Sequence, residues 1–180
     1  MLGVVDSAVI AAKNATKNNR IGVIGTVATI KSGIYEKKLK ALSTELRVFS
    51  RACPLLVPLV ENGRINKGDA VTETVLSEYL APLANESIDV LIMGCTHYPL
   101  LEPMIREILG SSVTLIDSGK ATAEYAKKWL FDLDLNCEDR VGTVSYYVTD
   151  STTGFEDTAS MFLGQDIHGK VTQVSIGAKK

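Results

Sequence analysis

The sequence predicts an α/β fold in which helices cover both faces of a parallel sheet. Three short apolar runs support this prediction, at residues 21–25, 90–93 and 113–117. Runs of this length and composition are typical of buried parallel strands. Between them, apolar residues recur at helical spacing, most clearly over residues 68–83. Because strands and helices alternate along the chain, we expect right-handed crossovers between neighbouring strands.

The remaining elements follow from local pattern, and no internal repeat is visible. Helices are expected over residues 4–17, 26–42, 68–83, 100–109, 118–133 and 155–163. Strands are expected over residues 21–25, 45–49, 90–93, 113–117, 141–149 and 171–176. Asp6 or Ser7 is a candidate N-cap of the first helix, and Ser118 a candidate N-cap of a later one. Two prolines within residues 53–61, Pro54 and Pro58, favour an irregular segment or a short helical turn. Whether the last two strands extend the main sheet or form another is left open by the pattern.

Composition excludes several classes of function. The chain has 180 residues, of which 46% are hydrophobic, enough for one or two compact units. Its 19 basic and 21 acidic residues leave no polybasic surface for nucleic acid or an anionic membrane. Three widely spaced cysteines, with no CxxC pair, argue against a disulfide framework or a zinc site. No signal peptide or apolar run of spanning length is visible, so a cytoplasmic location is expected.

The strongest candidate for chemistry lies at the end of the strand 90–93. Gly94 permits a tight turn, Cys95 follows at the carboxyl end of the strand, and Pro99 suits a first helical turn. Open α/β sheets build their sites at this edge, and a helix N-terminus favours a thiolate. His97 is close enough in sequence to help move a proton. The alternative is that Cys95 is a small core residue.

Two further positions have both a structural and a functional interpretation. Thr26 and Thr29 follow the strand 21–25, where they could cap the next helix or cradle a substrate carboxylate. Glu61 ends an apolar run, so it is either a surface residue or a carboxylate that points into a pocket.

Three segments together resemble the glutamate racemases of the cofactor-independent aspartate/glutamate racemase superfamily. They are GCTHYP at residues 94–99, IGVIGTVATI at residues 21–30 and CPLLVPLVE at residues 53–61. The resemblance extends to at least Gly119 and continues more weakly over residues 146–164. It implies a parallel-sheet, three-layer domain of the racemase type. His97 points to glutamate, since related racemases for other amino acids commonly carry glutamate at that position.

The resemblance implies a two-thiol mechanism without pyridoxal phosphate, other cofactor or metal. One cysteine removes the α-proton and another returns a proton to the opposite face, because inversion needs an acid and a base on opposite faces. The expected product is D-glutamate for peptidoglycan, and a homodimer is one assembly that this family suggests. By match to the motifs, the catalytic residues are Cys95, His97 and Glu61, and the substrate-binding residues are Thr96, Thr26 and Thr29.

The chain departs from the family pattern in one respect. An aspartate-serine pair in a Gly-rich segment and a cysteine in an ACNTA-like element are both missing, and Cys53 aligns with a different cysteine. We therefore expect residues 1–117 to form one complete half-domain and residues 118–180 to belong to the other, truncated half. Exposed apolar surface is expected from Ser118 onward. The chain is expected to be inactive alone. The alternative is a non-catalytic α/β binding module or one half of a split racemase.

Overall fold

The computed structural model describes residues 2–135, 137 and 142–177. The chain divides into two compact units, residues 1–136 and residues 137–180. The sequence analysis places a boundary after residue 117, whereas the helix that follows that residue packs within the first unit, against the first helix of the chain. Among the described residues, no helix combines the length and the apolar character that crossing a membrane requires.

A four-stranded parallel sheet forms the centre of the first unit, as the sequence predicts. Its strands are β1 (Arg20–Gly25), β2 (Arg47–Ala52), β3 (Val90–Met93) and β4 (Thr114–Asp117), in the spatial order β2-β1-β3-β4. The register aligns the last residues of neighbouring strands, since Met93 pairs with both Ile24 and Asp117. The segments that leave β1, β3 and β4 therefore emerge side by side at one edge.

Seven α-helices of the described residues surround this sheet. They are α1 (Val4–Ala15), α2 (Val27–Lys31), α3 (Ile34–Leu42), α4 (Leu56–Glu61), α5 (Ala70–Asn85), α6 (Glu102–Leu109) and α7 (Ser118–Asp132). A short 3-10 helix over Tyr98–Leu101 precedes α6. Within the proline-containing run, Leu56–Glu61 is thus a six-residue helix that includes Pro58, in agreement with the short helical turn expected there.

The core of the first unit lies between the central strands and the helices that cover them. All four residues of β3 are fully buried. On one face, Ala8 and Ala12 of α1 and Leu39 of α3 belong to the same buried cluster as Ile92. Small alanine side chains let α1 pack directly on the middle strand, just below the turn that follows it.

Three local predictions about helices are wrong. The first helix begins at Val4 with Gly3 as N-cap, so Asp6 lies inside its first turn, where an acidic side chain still favours the helix dipole. The predicted helix 26–42 is two helices, because Gly33 adopts a left-handed conformation with φ of 63°. The cap of α7 is Asp117, which accepts hydrogen bonds from the amides of residues 119 and 120, and Ser118 is the first helical residue.

The second unit contains β5 (Tyr146–Val148), α8 (Thr152–Leu163) and β6 (Val171–Gln173). The two strands pair with each other in parallel and form a sheet separate from the larger one. Both are shorter than the sequence predicts, and Val141, the expected start of the first, lies outside the described residues.

Large apolar side chains are exposed from α7 onward, as expected from the sequence. Phe131 is 68% exposed and Ser118 is the only buried residue of α7. The other exposed large apolar residues in this part of the chain are Tyr125, Trp129, Leu130, Leu133, Leu135, Val144, Tyr147, Leu163 and Ile176.

Candidate active site

The turn after β3 is shaped by a close approach of two strands. The amide of Gly94 donates a hydrogen bond of 2.8 Å to the carbonyl oxygen of Ile24. A Cβ atom at residue 94 would lie 2.9 Å from that oxygen and 3.1 Å from the ring of Tyr35. Only glycine fits this space without displacing the backbone. The turn then directs Cys95, half-buried, to the carboxyl edge of the sheet.

The three predicted catalytic side chains form one hydrogen-bonded line. The Sγ atom of Cys95 lies 3.9 Å from Nδ1 of His97, and Nε2 of His97 lies 3.1 Å from Oε1 of Glu61. A carboxylate can only accept, so Nε2 carries the proton and Nδ1 is the acceptor tautomer toward the thiol. The Oγ1 of Thr96 is 3.2 Å from the same Nδ1. This arrangement can relay a proton between sulfur and imidazole.

Glu61 is a surface residue that also contacts His97, and its predicted role as a pocket carboxylate stays a prediction. Its side chain is 53% exposed, and it also accepts from His97, which is 36 residues away in sequence. Glu61 is the last residue of α4, a helix that contacts the 3-10 helix following His97. The packing of these two short helices therefore brings carboxylate and imidazole together.

The pKa of the Cys95 thiol is raised, in contrast to the thiolate expected from the helix N-terminus. Burial is the largest cause, and the negative charge of Glu61 raises the pKa further. Backbone amides of His97 and Tyr98 do favour the thiolate, but the effect of each is smaller than that of burial, and the net pKa is raised. Cys95 is therefore a thiol at neutral pH, and its deprotonation requires a nearby base.

Thr26 and Thr29 lie at the same edge of the sheet, after β1. Thr26 is the N-cap of α2 and accepts a hydrogen bond from the amide of Thr29, and the two hydroxyl oxygens are 2.9 Å apart. The capping interpretation is thus confirmed for Thr26. Binding of a substrate carboxylate by these hydroxyls stays a prediction.

The other two cysteines have different surroundings. Cys53 is fully buried, and burial is the main reason why its pKa rises to about 12. Its carbonyl oxygen accepts a hydrogen bond of 3.0 Å from the buried hydroxyl of Tyr98. Cys53 therefore anchors the segment next to the site and is unsuited to proton transfer. Cys137 is exposed and lies in the second unit.

Two polar residues that contact this turn give no sign of that role in the sequence. Tyr35 and Ser118 are buried next to Gly94 and Met93, and their hydroxyl oxygens are 3.4 Å apart. Ser118 was predicted only as a helix cap, and Tyr35 lies at an ordinary core spacing in its helix. The described residues contain no cluster of three or more His, Cys, Asp or Glu side chains that could hold a metal ion.

Comparison with known proteins identifies the family. Residues 1–126 match the Asp/Glu/Hydantoin racemase family. The chain belongs to this family. The match covers every residue of the Cys95–His97–Glu61 line and both threonines after β1, so the site described above lies within the matched region.

Individual relatives of the chain are named glutamate racemases. Over 175 residues, the chain is 42% identical to a glutamate racemase of Persephonella marina, covering 97% of this chain and 64% of the relative. Over 169 residues it is 41% identical to a glutamate racemase of Streptococcus thermophilus, covering 93% of this chain and 61% of the relative. The chain therefore spans less than two thirds of the length of these relatives.

Solved structures show the same likeness. A glutamate racemase isoform from Bacillus anthracis superimposes with a TM-score of 0.89 at 40% identity, covering 99% of this chain and 65% of that one. A glutamate racemase from Francisella tularensis in complex with D-glutamate gives a TM-score of 0.83 at 30% identity, covering 98% of this chain and 63% of that one.

Proposed function

We propose that this chain provides one face of the active site of a cofactor-independent glutamate racemase. The observation that carries the proposal is the hydrogen-bonded line from Cys95 through His97 to Glu61 at the carboxyl edge of the sheet. A thiol, its proton acceptor and a carboxylate that orients the acceptor are the groups that α-proton transfer requires. Relatives at about 40% identity that are named glutamate racemases support the same activity.

The chemistry balances with one proton removed and one returned. In one direction, the Cys95 thiol first passes its proton to Nδ1 of His97, and the thiolate then removes the α-proton of the substrate. The new imidazolium is stabilised by Glu61, whose Oε1 accepts from Nε2. In the other direction, the Cys95 thiol donates its proton to the carbanion. The opposite proton transfer occurs on the other face of the substrate, from a second acid-base group.

Substrate recognition is proposed to depend on the hydroxyl groups at the same edge. Thr26, Thr29 and Thr96 lie on the segments that follow β1 and β3, which are adjacent strands. Hydroxyls and backbone amides at a helix start are suitable partners for carboxylates. Of the two acidic amino acids, glutamate is favoured because the motif carries His97. The product is proposed to be D-glutamate for peptidoglycan.

We infer that the 180-residue chain does not racemise glutamate by itself. Among the described residues, Cys95 is the only thiol in the line, and Cys53 is buried with a pKa of about 12. Without an acid on the other face, a removed proton returns to the face that it left. The second group is proposed to come from another polypeptide segment.

The circular dichroism signal of L-glutamate, which racemisation removes, tests this proposal. The purified chain is incubated with L-glutamate, alone and mixed with the segment of the Bacillus anthracis racemase that this chain does not match. We expect no loss of ellipticity with the chain alone and measurable loss in the mixture. Turnover by the chain alone would refute the need for a second group.

Two cysteine variants test whether the activity of the mixture depends on the Cys95 thiol. Cys95→Ser should abolish it, whereas Cys137→Ser, at an exposed position of the second unit, should leave it unchanged. If Cys95→Ser retained full activity, the thiol would have no role in proton transfer. L-aspartate in place of L-glutamate checks the substrate, and a faster loss of ellipticity with aspartate would contradict the proposed specificity.

A further inference from the structure

Two buried hydroxyl side chains meet beneath the Cys95 turn. Ser118 is 7% exposed and donates a hydrogen bond of 2.9 Å to the carbonyl oxygen of Met93, the last residue of β3. Tyr35 is 5% exposed, and its hydroxyl oxygen lies 3.4 Å from Oγ of Ser118. Because the single proton of Ser118 is directed to Met93, Tyr35 is the donor to Ser118. The two hydrogen bonds form a chain that runs from Tyr35 through Ser118 to the main chain of the turn.

The ring of Tyr35 packs against Gly94, the next residue of the same turn. A Cβ atom built on Gly94 would lie 3.1 and 3.3 Å from two atoms of this ring. The amide of Gly94 is bound by the carbonyl oxygen of Ile24. The peptide between Met93 and Gly94 is therefore held at its carbonyl, at its amide and against its α-carbon, immediately before the thiol.

We propose that Tyr35 and Ser118 are positioning residues that hold the Met93–Gly94 peptide and so keep the Cys95 thiol in place. The inference rests on the proposed function, in which the sulfur must reach both the substrate and His97. Proton transfer tolerates displacements of only about 0.5 Å in such groups. Residues of α3 and of the start of α7 thus stabilise the turn after β3, which belongs to neither helix.

The electrostatics of the site agree with this proximity. Burial raises the pKa of Tyr35, the hydrogen bond with Ser118 lowers it, and a negative charge on Cys95 raises it. Tyr35 and the thiol are therefore close enough for the charge of one to affect the other. For Cys95 itself, burial is the largest single effect on the pKa, ahead of either amide that favours the thiolate. Loosening the turn should therefore expose the sulfur and increase its reactivity.

Alkylation of the folded full chain tests the inference without any racemase assay. Iodoacetamide is added at pH 7.5, and the modification rates of Cys95 and Cys137 are compared by peptide mass spectrometry. The exposed Cys137 serves as an internal standard. In Ser118→Ala, we expect the ratio of the two rates to rise about fivefold, the effect of one neutral hydrogen bond on an equilibrium. Ser118→Thr retains the hydroxyl and should restore most of the original ratio.

A matched control separates positioning from general loss of stability. Thr122, one turn further along α7, donates a hydrogen bond of 2.7 Å to the carbonyl oxygen of Ser118. Thr122→Val removes a bond from the same helix without touching the Met93–Gly94 peptide, so the reactivity ratio should stay unchanged. A ratio that is equal in Ser118→Ala and wild type, with only the melting temperature lowered, would overturn the proposal.

A second variant keeps the test decisive if Ser118→Ala does not fold. Tyr35→Phe retains the ring against Gly94 and removes only the donor to Ser118, and it should raise the ratio in the same direction. An unchanged ratio would overturn the proposal. Because alkylation needs no turnover, failure of the glutamate assay and failure of this test are distinguishable.

Discussion

Replacing Gly94 by alanine should destabilise the first unit through a clash with the backbone. The added Cβ would lie 2.9 Å from the carbonyl oxygen of Ile24 and 3.1 Å from the buried ring of Tyr35. The oxygen accepts the amide of the same residue, so β1 and β3 would have to separate. Overpacking of this kind costs about 1 to 3 kcal/mol. The reduced freedom of the unfolded chain offsets about 0.4 to 1 kcal/mol of that.

The net loss should be seen as a lower urea midpoint. A loss of about 1 to 2 kcal/mol corresponds to a shift of about 0.5 to 1 M for a chain of this size. Trp129 is the single tryptophan and lies in α7, so its fluorescence follows unfolding of the first unit.

Gly22 in the neighbouring strand β1 provides a matched control. A Cβ at Gly22 would meet Cδ1 of Ile88 at 2.6 Å and Cδ1 of Leu91 at 3.0 Å, both of which are ends of flexible side chains. Gly22→Ala should therefore shift the midpoint less than Gly94→Ala. If Gly94→Ala unfolded at the wild-type midpoint, or if Gly22→Ala were the weaker protein, contact with the backbone would not govern the turn.

Three further predictions concern titratable groups elsewhere in the chain. Burial raises the pKa of Asp89, but hydrogen bonds from one hydroxyl and three backbone amides outweigh it and the net pKa is lowered. The resulting stability is present at neutral pH and lost as the pH falls below about 4. In urea unfolding, Asp89→Asn should therefore lower the free energy of unfolding by about 1 to 2 kcal/mol at pH 7, and this difference from the wild type should shrink toward pH 2. Cys53, buried and with a pKa of about 12, should resist iodoacetamide at pH 8 until urea unfolds the protein, as judged by mass spectrometry. Hydrogen bonds with Asp157 and Asp166 raise the pKa of His168, so its contribution is present below about pH 6.5 and lost as the pH rises through the raised value. Asp157→Asn should lower this pKa in a proton NMR titration, which has only two histidines to resolve.

The strands and the edge that carries the site could be predicted because both depend on local pattern. The apolar run at residues 90–93 is buried throughout, as a central parallel strand should be. Once the strands are parallel, the residues that follow them must meet at one edge, which places Thr26 and Cys95 on adjacent segments. The family resemblance names both Glu61 and His97 as catalytic, but it does not predict their contact, and nothing in the spacing of these residues implies it.

Other features depend on packing between distant residues and leave no local signal. Gly33 divides one predicted helix into two, but glycine within a helical pattern does not reveal its φ. Tyr35 and Ser118 are 83 residues apart, and each has an ordinary local interpretation, as a core residue and as a cap. Their meeting under the turn follows only from the way α3 and the start of α7 pack beside the sheet.

The proposed proton transfer depends on two opposing effects of Glu61. Burial is the main reason why the pKa of Cys95 is raised, and the charge of Glu61 adds to this effect, which keeps the sulfur protonated. The hydrogen bond of 3.1 Å between Glu61 and Nε2 stabilises the imidazolium that forms when His97 takes the proton from sulfur. Because Glu61 contacts the imidazole directly and the sulfur only through it, the second effect is the stronger one once the proton has moved. The carboxylate therefore keeps the proton within the Cys95–His97 pair in either state, so the same thiol can act as the acid in one direction of racemisation and as the base in the other.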